Sequence, residues 1–400
     1  MRITKRSMLL ALSGVAVLSL ALALLAAFSL GGVGGAHAAS GPIPDDGQVV
    51  AKFTAATGAG GFRTTNTIPY WSSSFTFQGT TYPFSMVGTS PVGADASTTV
   101  PTVLIPLKFT FSPKSNLGGG AFSDVRDPFT VDPTTGLNSV QATLASPIFQ
   151  SASYPDGVGT VQFGDAIQRA TFDKTDGSGY HVLLGTPTIL PEVSFDVPAN
   201  LADVHRISAR IDIGWFSNRL HELLGSLHLD PHTLPIFATY NTLLYLNNNP
   251  ADCCVVGFHG ADTPQCRVFC NVNGNGAQPV KTFIYEAWLS PGVALNPGVR
   301  DVFAMSHETS EWLNDPFTDN LVPPWLALGP APFCQGNLET GDVLEELANA
   351  PFAVTTSGIT FHVQSEALLP WFERASPSSA VAGAYSYPDA TLAPTFAQSC

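Results

Sequence analysis

The segment from Val299 to Pro316 reads VRDVFAMSHETSEWLNDP and sets His307, Glu308 and Glu311 in an H-E-x-x-E pattern. Residues four apart share one face of a helix, so the His307 imidazole and the Glu311 carboxylate can meet at one cation. Glu308 stands about 100° further round the helix and can address a water held at that cation. In H-E-x-x-H zinc peptidases two histidines bind Zn²⁺ and the glutamate is the general base. Here Glu311 replaces the second histidine, and a carboxylate is an acceptable zinc donor. A third ligand has to come from outside the helix. Glu339 and Asp342, in the run Asn337-Leu338-Glu339-Thr340-Gly341-Asp342, are the nearest carboxylate pair, and Gly341 permits a close approach of backbone. Asp315 reads as a helix-ending support, and Glu345 and Glu346 as solvated surface. The plainer alternative is a solvated helix face with one capped histidine. Against it, a chain with only 12% charged residues places one His and two Glu within five positions.

Other candidates are weaker. His221-Glu222 opens an H-E-L-L-G run, with Gly225 where a ligand should stand, and Pro231 interrupts any helix that would align His228 with His232. Cys266 and Cys270 would suit zinc, but their spacing has no matching second pair. The chain contains no G-x-S-x-G elbow and no phosphate-cradling G-x-x-x-x-G-K.

The elements that must hold these residues can be read from the pattern. Val302, Phe303, Met305 and Leu313 suit a packed helix, Asp301 is a plausible early-turn acid, and Pro316 disfavours helix at Asp315. Helices are also expected over Val140–Phe149, Gly164–Phe172 and Asp212–Leu227. Strands are expected between Tyr70 and Phe111, at Tyr180–Leu184, Glu192–Val197 and Pro235–Leu246, and at Lys281–Leu289. Pro101 and Pro106 in VPTVLIPLKFTF point to an edge strand or a bulge. The stretch 252–279, which carries four cysteines, has the Asn/Gly composition of an irregular loop. The expected fold class is α+β. A β-rich region over 67–206 follows a loose leader at 39–66, and a disulfide-bearing domain spans 207–400.

Composition narrows the setting. With 44% hydrophobic residues the chain can bury a sizeable core, and 32 Pro with 36 Gly favour short strands and many turns. The formal net charge is −14, although Arg2, Lys5 and Arg6 precede any acid. Such a surface repels phosphate backbones, so no nucleic-acid partner is expected. The basic start, the apolar run from Met8 to Leu30 and the small residues ending Ala36-His37-Ala38 read as a secretory signal over 1–38. No later segment is long and apolar enough to span a membrane. All six cysteines fall at or after Cys253, which in an exported protein suggests disulfides in the C-terminal half.

The run SHETSEWLNDP followed by ETGD is similar to the H-E-x-x-E-x-x-(T/N)-(N/D)-P and E-x-G-D segments of the Exordium (phosphate-induced protein) family and of related secreted bacterial proteins. Cys254-Val255-Val256-Gly257-Phe258-His259 and Tyr285-Glu286-Ala287-Trp288 resemble two further segments of that family. The resemblance covers about residues 235–345. It implies a zincin-like core with His307 and Glu311 as metal ligands, Glu308 as base, and Asp342 or Glu339 completing the site. It also implies a pocket or transition-state role for His259. Thr309-Ser310 departs from the family's small apolar pair. The expected function is that of an exported zinc-dependent hydrolase of the secreted or cell-envelope space, acting on peptide or extracellular protein. The rival expectation is a non-catalytic binding protein whose metal site is structural.

Overall fold

The alternating run Tyr70–Phe77 forms strand β1 and pairs antiparallel with β2 (Thr80–Val87). Gln78 (φ 48°) and Gly79 (φ 82°) make the two-residue connection, whose left-handed backbone matches the twist of a tight hairpin. This structure is a computed structural model that describes residues 66–92, 96–112, 124–175, 179–262 and 279–400. The signal segment, nearly all of the leader, and Cys266 and Cys270 lie outside the described residues.

The central sheet runs β4 (Val193–Val197), β3 (Thr102–Phe111), β5 (Leu234–Tyr240), β7 (Lys281–Trp288), β6 (Gly257–Asp262). The first four strands are mutually parallel and β6 is antiparallel at the end of the order. Successive side chains of a strand point to opposite faces, and the core divides accordingly. Leu104, Ile236 and Ile284 join one hydrophobic cluster with Met305, Trp312 and Leu313. Ile105, Leu107, Phe109, Phe237, Phe283 and Tyr285 join a second cluster with Phe216, Leu220 and Leu224 of helix α3 (Ile213–Ser226). Both faces of the sheet are therefore covered, which suits the near-continuous apolar run of β5.

Pro106 is a correction to the edge-strand expectation, because β3 is central. The proline is tolerated there because the strand changes partners around it. On one side β5 pairs only with Thr102 to Pro106. On the other, Thr188–Ile189 pairs with Val103 and Leu104, and β4 begins at Leu107. The missing N–H falls at the end of one ladder and between two others. The boundary at 206/207 likewise runs through this one sheet, since β3 and β4 precede it while β5, β6 and β7 follow it.

Among the helices, α1 (Ser139–Ala145) carries a capping box from Asn138 and Gln141 and stops at Ser146, short of the expected Phe149 because Pro147 follows. Helix α2 (Phe163–Thr171) crosses α4 (Phe303–Asn314) closely at Gly164. A Cβ there would meet Leu313 Cδ1 at 2.6 Å, so only glycine allows this approach. All twelve residues of α4 are buried. One side lies on β7, where Trp312 Nε1 donates to Thr282 Oγ1 at 2.9 Å. Another side meets β9 (Ile359–Gln364), which forms a hairpin with β8 (Pro351–Thr356). Trp312 is 0% exposed, and its truncation to alanine would cost about 3–5 kcal/mol.

Helices and strands both build the chain, compatible with an α+β class. No helix among the described residues is long and apolar enough to cross a membrane. Cys334 and Cys400 stand at disulfide distance with Cα atoms 5.9 Å apart, and the sulfurs of Cys253 and Cys254 are in contact.

Candidate metal centre

Because α4 is enclosed, its polar side chains must find partners inside the protein. His307 Nδ1 lies 3.0 Å from Gln364 Oε1, and Gln364 Nε2 donates to the Gly341 carbonyl at 2.7 Å. An amide oxygen only accepts, so Nδ1 carries the proton and Nε2 of the neutral ring is a bare lone pair. That lone pair faces Glu311 Oε1 at 3.1 Å and Asp342 Oδ1 at 3.5 Å. Among the described residues neither His307 Nε2 nor Asp342 Oδ1 has a hydrogen-bond partner. Three electron-rich atoms so placed repel unless a proton or cation lies among them. A histidine fixed through its other nitrogen is also how metal-ligating imidazoles are oriented.

The turn at 339–342 is folded onto the helix by the same residues. Gly341 N and Asp342 N donate to Glu311 Oε1 at 3.0 and 3.2 Å, and the Ser310 and Thr340 hydroxyls lie 2.8 Å apart. A Cβ at Gly341 would fall 2.5 Å from His307 Nδ1, so glycine is what lets the turn reach the imidazole. Gln335 Nε2 donates to Asp342 Oδ2 and leaves Oδ1 directed at His307.

A second group of side chains meets across the helix. His259 lies on β6, which corrects the expectation of a polar loop. The Gly-rich run 257–262 carries little strand propensity, but pairing with β7 organises it, and glycine at 257 is required. A Cβ there would lie 2.6 Å from Glu308 Oε1. His259 Nε2 is 3.1 Å from the Asp315 carbonyl, while Nδ1 faces Glu308 Oε2 at 3.4 Å and Glu311 Oε2 at 3.7 Å. Glu339 Oε2 is 4.0 Å from His259 Nε2. The two downstream acids thus part company: Asp342 meets His307 and Glu311, and Glu339 lies beside His259. Asp315 supports the following loop, its Oδ1 accepting from Asp319 N at 3.0 Å.

The electrostatics are severe. His259, His307, Glu308, Glu311, Glu339 and Asp342 are each at most 1% exposed. Among the described residues no Lys or Arg forms an ion pair with these acids; the basic groups against them are the two histidine rings. Burial pushes the carboxyls of Glu308, Glu339, Glu345 and Glu366 well above the usual range, and that of Asp342 up to about 7. Burial raises Glu311 most, but the His307 and His259 rings and the Asp342 N–H together hold it below its ordinary value. Against burial, the Glu311 and Asp342 carboxylates hold the His307 ring well above its own. Burial lowers the His259 ring to about 4, leaving it neutral at neutral pH.

Glu345 corrects the expectation of a solvated surface, being 3% exposed, and the apolar Val343-Leu344 before it is the available signal. Two further members, Glu366 and Gln364, have no counterpart in the sequence analysis. Glu366 adjoins the apolar run Ala367-Leu368-Leu369 and has no partner at either oxygen. Gln364 carries no sequence signal, because its role depends on the β9 hairpin reaching α4. The weaker candidates lie elsewhere: His221 Nδ1 is 3.0 Å from Asp262 Oδ2, and His232 pairs with Asp230.

No family model matches the chain, and no curated protein or solved structure matches it. What the centre does is therefore argued from its atoms. The unpartnered Nε2 of His307 and Oδ1 of Asp342, with Oε1 of Glu311 beside them, make a donor set of one nitrogen and carboxylate oxygens. That set fits a divalent ion of the zinc type without any thiolate.

Proposed function

We propose that this protein is a metal-dependent hydrolase with a zincin-like centre, in which His307, Glu311 and Asp342 hold a divalent cation such as Zn²⁺. The observation that carries the reading is the convergence of one ligand atom from each of these residues within 4.8 Å of one another. A divalent ion held by these three residues would supply a Lewis acid for a carbonyl oxygen. Glu308 takes the proton of the attacking water and returns it to the leaving amine. His259, tethered through Nε2 to the Asp315 carbonyl, faces Glu308 Oε2 with Nδ1. Gln364 and Gln335 orient His307 and Asp342.

A peptide substrate is supported by the likeness of the H-E-x-x-E spacing to the zinc-peptidase motif. Export is supported by the basic and apolar N-terminal run, and an oxidising compartment by Cys334 and Cys400 at disulfide distance. One observation favours a second reading, a secreted binding protein with a structural metal: the ligand side chains are 0–1% exposed.

Metal analysis of the purified protein, with a peptide-library assay, separates the cases. The hydrolase reading expects at least one equivalent of metal and cleavage in the wild type, and neither in His307→Ala. Metal without cleavage leaves the structural reading, and a metal-free wild type sinks both.

A further inference from the structure

The two sides of α4 are built on the same chemical plan. On the His307 side, a ring N–H is spent on an amide oxygen and the bare nitrogen faces two carboxylate oxygens. On the His259 side, the backbone carbonyl of Asp315 can only accept, so His259 Nε2 carries the proton. Nδ1 of the neutral ring is then a lone pair aimed at Glu308 Oε2 (3.4 Å) and Glu311 Oε2 (3.7 Å). These donor atoms also lie within 4.8 Å of one another. All three side chains are 0% exposed, and Glu311 Oε2 and Glu308 Oε1 have no hydrogen-bond partner, nor has either oxygen of nearby Glu339. Glu311 is the shared member. Its Oε1 belongs to the His307 side and its Oε2 to the His259 side, the disposition of a carboxylate that bridges two cations.

The charges agree. Glu308, Glu311, Glu339 and Asp342 are four acids enclosed with two histidines and no Lys or Arg partner among the described residues.

We propose that the cluster has a second cation position, formed by His259 Nδ1, Glu308 Oε2 and Glu311 Oε2, and that filling it turns the centre off. The first half stands on the geometry alone. The second rests on the hydrolase reading above, because a Glu308 carboxylate engaged as a ligand cannot accept the proton of water. Its donors are one imidazole and two carboxylates, so the position takes a borderline or hard dication such as Zn²⁺ or Mn²⁺ rather than a thiophilic one. Hydrolysis then depends on metal concentration in two directions, rising with the first equivalent and falling with the second.

The test is a titration of chelator-treated full-length protein with zinc chloride, reading bound metal after desalting and peptide cleavage at each step. The expected result is two equivalents in the wild type and one in His259→Gln. Wild-type activity should drop by about a hundredfold or more as the second equivalent binds, the contribution of a general base. One equivalent in the wild type overturns the second position while leaving the hydrolase reading intact. Zero equivalents overturns both. Two equivalents in His259→Gln, or undiminished activity at two equivalents, overturns the site or its inhibitory role respectively. Should His259→Gln fail to fold, native mass spectrometry of the wild type at saturating zinc decides: two bound zinc ions support the proposal and a single one defeats it.

Discussion

Asp165 on α2 and Glu339 beside α4 are each 0% exposed, yet their oxygens meet different surroundings. Asp165 Oδ1 accepts from Val182 N at 2.9 Å, and Oδ2 lies 2.7 Å from His181 Nδ1. His362 is treated similarly, with its backbone N–H and Nδ1 both bound to Asp301 at 2.8 Å. In these places a buried acid and a histidine complete each other and tie two elements together. Around α4, by contrast, Glu339 lacks a partner at both oxygens, and Glu308, Glu311 and Asp342 each lack one at one oxygen. Burial is common to both regions, so burial does not mark function. Incompleteness does, because an enclosed polar atom without a partner costs free energy that something absent from the chain has to offset.

Replacing Glu308 by Gln probes the incomplete region most strongly. The amide keeps the size of the side chain but cannot take a proton. The hydrolase reading expects peptide cleavage to fall about 10²–10⁴-fold while the cation on His307, Glu311 and Asp342 remains bound. Steady-state rates and metal content measured on the same preparation check both halves. Full activity in a metal-replete Glu308→Gln would remove the proton-transfer role from this residue.

Gln364→Ala should have a smaller effect of a different kind. It deletes the acceptor on His307 Nδ1 and the donor to the Gly341 carbonyl, without touching a ligand atom. Partners of that type are worth about 10–100-fold in metal affinity. Competition against a chromophoric chelator measures the change, and an unaltered affinity would mean that Gln364 only packs.

These residues also show what was readable beforehand. Helix α4 was legible because its signals are local: an apolar framework from Val302 to Leu313, the H-E-x-x-E spacing, and Pro316 as a stop. Asp342 was legible as one of two acids near a glycine, but the choice between it and Glu339 was not. That choice depends on how the turn lies across the helix, with Gly341 N and Asp342 N on Glu311. Gln364 arrives at the end of a hairpin some fifty residues downstream of the helix and Glu366 from a separate short ladder with Tyr387 just beyond it, and no local pattern announces them. His259 was picked out by type and resemblance but given the wrong element, since its strand exists only through pairing with β7. Pro106 misled for the same reason, because ladder changes on either side of β3 are decided by distant strands.

On the completed side, Asp165→Ala should destabilise without altering metal content. It strands the Val182 N–H and one nitrogen of His181, and leaving a buried donor unmet costs about 1–3 kcal/mol. Urea unfolding would show the loss as a lower midpoint with unchanged slope. Altered metal stoichiometry in this variant would blur the distinction drawn between the two regions.

Glu286 gives the finest test. It lies on β7 with both oxygens unpartnered and 1% of the residue exposed. Neither candidate ligand group includes it, and burial alone pushes its carboxyl well above the usual range. If incompleteness without neighbouring donors is merely a cost, Glu286→Met should be neutral or slightly stabilising, by up to about 1 kcal/mol near neutral pH, because apolar replacements of buried ionisable groups are often so. The sign with pH follows from the direction of the shift. A carboxyl whose folded pKa is raised favours the folded state below its unfolded pKa, and that contribution is lost as pH rises towards the folded value. The advantage of Glu286→Met over the wild type should therefore be smallest near pH 4 and grow towards pH 7. Denaturant midpoints of the two proteins across that range measure it. A variant less stable than wild type at pH 7, or one that loses metal, would place Glu286 with the ligand cluster instead of apart from it.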